Sequence, residues 1–118
     1  MQHIDLNLIT NEHILGKWRV HSRSASRHAE TDYFSSIHTI DIGKENFIAH
    51  NGKDLSGRLS MIREYEIIYN PQLKFYRNTR EIANAIITRM ILETDGGCVS
   101  HKMTLYFTSG LELVLLKN

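Results

Sequence analysis

From Leu15 to Ser22, and again from Ser35 to the carboxyl end, apolar residues recur at every second position, in segments separated by short clusters of Gly, Asn, Asp and Pro. The stretch 22–33 loses this periodicity and reads as an exposed connection. Successive side chains of a strand point to opposite faces, so a period of two calls for half-buried strands. In 15–22, Trp18 and Val20 share one face while Lys17, Arg19 and His21 share the other. Alternation resumes over 35–42, with Ile40 and Ile42 on one face, and 43–46 supplies a turn before 47–50. Asn51-Gly52 then signals a hairpin, because both residues accept positive φ. The longest alternating run is 58–69, with Leu59, Met61, Arg63, Tyr65 and Ile67 on one face. Pro71 has no N–H to give a ladder, which places a turn at 69–72, and Leu73, Phe75 and Arg77 continue as a short strand.

The stretch 78–93 supports two readings. Asn78 and Glu81 have the spacing of a capping box, and Ile82, Ala85, Ile86 and Met90 recur at helical intervals. Against a helix, Ile86-Ile87-Thr88 and Met90-Ile91-Leu92 are strand formers, and Thr94-Asp95-Gly96-Gly97 suits a hairpin turn into 99–107. Strand is the favoured reading, and a last strand covers 111–117. The expected fold is all-β: about seven or eight strands in an antiparallel up-and-down meander, closed into a small barrel that leaves no open edge. The alternative is an α+β domain, a curved sheet carrying a helix at 79–93.

Composition narrows the function classes. The 118 residues fit one domain, 1–118, and 42% hydrophobic with 23% charged residues is ordinary globular usage. A formal net charge of +1 gives no global field toward nucleic acid or an anionic membrane. The single cysteine, Cys98, excludes an internal disulfide and fits a reducing compartment. No apolar run reaches the length of a leader or a membrane span, so the expected location is cytoplasmic.

Gly16 two residues before Trp18, at the start of the first strand, resembles the opening motif of the lipocalin-like (calycin) β-barrels. The resemblance implies a barrel whose interior binds a small molecule. It also implies a basic residue of the last strand packed across the tryptophan, here Lys117, although lysine lacks the flat guanidinium that stacks on an indole. The Thr-Asp-Tyr of that family comes too early in this chain, at Thr31-Asp32-Tyr33. Gly16-Lys17-Trp18 followed by Arg23 and Ser24 is also similar to the bilin lyases, a narrower group on the same barrel, which implies a tetrapyrrole ligand.

The residues suggest the same kind of site. Arg63, Arg77 and His101 interrupt apolar faces, and a cation on an inward face calls for a carboxylate from the protein or from a ligand. Apolar walls of Met61, Phe75 and Met103 would take the tail of a small apolar or amphiphilic molecule, and Arg63, Arg77 and the Tyr65 hydroxyl its acidic head. In the competing reading, the arginines reach water at the barrel ends or pair with neighbouring glutamates, and His101 is a satisfied histidine. The seven histidines show no metal-ligand spacing, so no metal or cofactor is expected. Cys98, three residues before His101, has no nucleophile signature around it, and the expectation is non-catalytic binding. A second expectation is an acidic protein partner, met by Arg19, His21, Arg23 and Arg27. The absence of interleaved aromatic residues there speaks against nucleic acid.

Overall fold

The computed structural model describes residues 2–26, 33–64 and 68–117, with side chains throughout except at 63, 64, 68, 69 and 95. Among these residues the strands are β1 (Gln2–His3), β2 (Gly16–Ala25), β3 (Thr39–Ile42), β4 (Asn46–His50), β5 (Asp54–Glu64), β6 (Ile68–Arg77), β7 (Arg80–Asp95), β8 (Cys98–Phe107) and β9 (Leu111–Lys117). A 3-10 turn at Leu6–Leu8 and one helical turn, α1 (Asn11–Ile14), precede β2. Each strand from β2 to β9 pairs antiparallel with the next, and β9 returns to β2, which closes an eight-stranded barrel. Short β1 adds to the edge of β7. Among the described residues no helix is long and apolar enough to cross a membrane.

The alternation that calls for strands also fills the barrel. Trp18, Ile40, Ile42, Phe47, Leu73 and Phe75 all point inward and are buried, as are Leu111, Leu113 and Leu115 of β9. Phe34 does not come from a strand. The turn ahead of β3 lays its ring among those of Phe75, Phe107 and Phe47, at centroid distances of 4.7, 5.4 and 5.8 Å. Rings at such centroid spacing are in contact, so aromatic side chains occupy the centre.

The α+β alternative does not hold: 79–93 lies in β7 and not in a helix. Asn78, with φ of 58°, sits in a two-residue turn that sets Arg77 opposite Arg80, so its apparent capping box is a hairpin. Ala83, Ala85 and Ile87 are buried with strand periodicity; a bulge between Ile87 and Arg89 then shifts the phase, and Met90 becomes the next inward residue. That three-residue step imitates helical spacing in the sequence.

The turn expected at 69–72 is also corrected, since β6 begins at Ile68 and contains Pro71. Between Ile62↔Gln72 and Glu64↔Ile68, β6 carries more residues than β5, and Pro71 falls in that irregularity, outside the register with β7 as well. A residue without N–H fits where the ladder is already interrupted. The hairpin expected at 94–97 is present: Gly96 and Gly97 have φ of 56° and 86°, values that favour glycine.

Candidate functional site

The barrel has a base, where β2 begins and β9 ends, and a mouth, bounded by the Phe34 turn and the β4–β5 and β6–β7 hairpins. At the base, α1 lies against the start of β2. The Trp18 indole donates to the Ile14 carbonyl at 2.8 Å. Lys117 crosses the same ring at 4.7 Å and donates to the carbonyls of Leu15 (2.7 Å) and His13 (3.0 Å). An ammonium thus combines a cation–π contact with two carbonyls that the short helix leaves unpaired. Gly16 is required beneath it: its φ is 124°, and a Cβ there would come within 2.8 Å of the Lys117 Cδ. His101 is half-buried at this end, and burial, then Lys117, then His13, hold its pKa below the usual 6.5.

At the mouth, a pocket of about 310 Å³ opens among Tyr33, Ile37, Ala49, Lys53, Leu55 and Arg77. Its floor is apolar. Its rim is cationic, because Arg77 stands directly opposite Arg80 in the hairpin and Lys53 rises from the β4–β5 turn. Like charges directly opposite one another in a hairpin repel. The carboxylate at this rim, Asp54, is committed elsewhere: its Oδ1 lies 2.7 Å from His50 Nδ1, and His50 Nε2 lies 3.3 Å from Asp41 Oδ2. Hydrogen bonding to Asp54, then to Asp41, holds the His50 pKa above 6.5. Among the described residues, neither Arg77 nor Lys53 has a carboxylate within ion-pair distance.

The residues expected from the sequence to form one ligand site are not gathered in one place. Arg77 is at the mouth and exposed, whereas His101 is at the base. Met61 is half-buried beside a smaller pocket of about 240 Å³ near α1, and Phe75 and Met103 are fully buried in the core. Tyr65 and Arg27 lie outside the described residues, as does the side chain of Arg63.

The basic stripe on β2 is divided. A bulge between Val20 and Ser22 brings Arg23 opposite inward-facing Leu113. Its guanidinium donates to the carbonyls of Ser35 and Ile37, on the turn that carries Phe34. Arg23, expected beside Arg19 in one basic surface, therefore does not share its face. The His50 group was not legible in the sequence, because a two-residue Asn51-Gly52 turn would set His50 opposite Lys53, whereas the observed three-residue loop sets it opposite Asp54.

Among the described residues no cluster of His, Cys, Asp or Glu is arranged to hold a metal ion. Comparison with protein-family models, with curated proteins and with solved structures finds no match to this chain. The eight-stranded antiparallel barrel is compatible with a lipocalin-like fold.

Proposed function

We propose that this chain is a non-catalytic, lipocalin-like binding protein that holds a small amphiphilic carboxylate at the mouth of its barrel. The carrying observation is the pairing of Arg77 and Lys53, two cations without a described acidic partner, with an apolar floor of Ile37, Ala49 and Leu55. An arginine fork meets a carboxylate with two parallel hydrogen bonds, and a hydrocarbon tail gains by leaving water for the floor. The volume lies at the lower end of ordinary small-ligand pockets, about 300 Å³ upward. A compact ligand therefore fits better than a tetrapyrrole. The exposed thiol of Cys98 suits a reducing, cytoplasmic setting. An acidic protein partner is the competing reading, but internal use of Arg23 removes one of its cations.

Calorimetric titration with octanoate and with octanol tests this reading. Octanoate should bind more tightly than octanol, and Arg77→Gln should weaken octanoate by about tenfold while leaving octanol unchanged. Equal affinity for the two probes, or indifference of octanoate to Arg77→Gln, would rule the reading out.

A further inference from the structure

Among the described residues the β6–β7 ladder does not run the full length of β7. β6 pairs with β7 only as far as Gln72↔Ile86, whereas β7 runs on against β8 to Asp95. β1 takes over the vacated edge at Ile91 and Leu92, and the N–H of Ile4 donates to the Met90 carbonyl at 2.9 Å. Between these two pairings, residues 87–89 of β7 have neither β6 nor β1 beside them in the described register, and the bulge of β7 falls in this interval. The gap is a groove of about 490 Å³, bounded by the amino-terminal segment, Asn70 and β7.

Ile4 and Leu6 supply its apolar lining, His3 lies beside them, and Asp5 and Arg89 face the same space with opposite charges. Asp5 holds the N-cap position of the 3-10 turn, yet its side chain makes no capping hydrogen bond. Among the described residues neither Asp5 nor Arg89 has an ion-pair partner, and they do not pair with each other. A carboxylate and a guanidinium that line one groove without pairing complement a molecule that carries an ammonium and a carboxylate of its own. The interrupted edge of β7 adds backbone groups of the kind that pair with an extended peptide. We propose that this groove is a second binding site, distinct from the mouth, and that it takes a short zwitterionic peptide with apolar side chains. Asp5 receives the amino terminus, Arg89 the carboxyl terminus, and Ile4 and Leu6 the side chains.

The test is an amide NMR titration with the dipeptide L-leucyl-L-leucine, its N-acetylated form and its C-terminal amide. The free dipeptide should shift the amides of Ile4 to Leu6 and Thr88 to Met90, and each blocked form should bind about tenfold more weakly. Arg89→Gln should abolish the preference over the amide, and Asp5→Asn the preference over the acetylated form. Both side chains are exposed, so unchanged amide positions around Phe34 verify that the variants fold. Blocked forms that bind as well as the free dipeptide, or shifts confined to other parts of the barrel, overturn the assignment. The mouth proposal uses different residues and a different probe, so either one fails without the other.

Discussion

His50 and His101 place the same side chain in opposite electrostatic settings. His50 lies between two carboxylates, Asp54 and Asp41, which favour its charged form, so its folded pKa is above the usual 6.5. Its contribution to stability is complete below pH 6.5 and is lost as pH rises through the raised value. His101 has the reverse sign. Burial disfavours its charged form, Lys117 and His13 add to that, and its folded pKa lies below 6.5. Its contribution is complete above pH 6.5 and is lost as pH falls through the lowered value. Urea unfolding midpoints measured between about pH 5 and 8 therefore separate the two. His50→Gln should flatten the decline on the alkaline side, and His101→Gln the decline on the acid side. Variants that change the profile in the same sense would contradict this assignment of charge environments. The His50 effect should also shrink with added salt, because the group is exposed and exposed pairs are screened.

At the scale of elements, bulges account for most of what strict alternation misplaces. The sequence makes β2 legible as a strand, but it does not show that an extra residue between Val20 and Ser22 sets Arg23 opposite Leu113, beside the Phe34 turn, and that the strand extends to Ala25. Nothing in Ser22 to Ala25 is apolar enough to mark the inner face there, because a guanidinium bound to two carbonyls occupies it. The same limit applies to β7, where the phase shift after Ile87 mimics a helical step, and to β6, where Pro71 sits in a stretch the ladder already skips. Turns were easier, because positive φ at Gly96 and Gly97 demands a residue type that is visible in the sequence. The role given to Arg23 leads to a specific expectation. Arg23→Ala removes both hydrogen bonds to the Phe34 turn, should lower stability by about 1–3 kcal/mol, and should speed amide exchange at Ile37. Arg23→Lys should restore little, since an ammonium does not present the planar fork that spans two carbonyls. Full stability of Arg23→Lys would show that charge alone, rather than fork geometry, secures the turn.

Across the whole molecule, closure of the meander decides where a ligand has room. Alternation made much of the inward face readable, including the inward direction of Phe75 and Met103. The filling of the centre was not readable, because it depends on Phe34, which belongs to no strand and reaches Phe47, Phe75 and Phe107 from a turn. A barrel this small packs its interior with its own side chains, and among the described residues open volume lies at the mouth, beside β7 and in the smaller pocket near α1. Phe34 reaches the core from the mouth side, in the turn ahead of β3. Phe34→Ala deletes a fully buried ring and should destabilise the fold by about 3–5 kcal/mol, measured as a fall in the urea midpoint. The space it leaves is apolar and adjoins the floor at Ile37, so octanoate binding should strengthen while the dependence on Arg77 persists. Phe34→Leu keeps part of the volume and should fall between the two in both stability and affinity. If Phe34→Ala loses stability and octanoate affinity does not rise, the tail of the ligand does not extend toward the core, and binding is confined to the rim that Arg77 and Lys53 define.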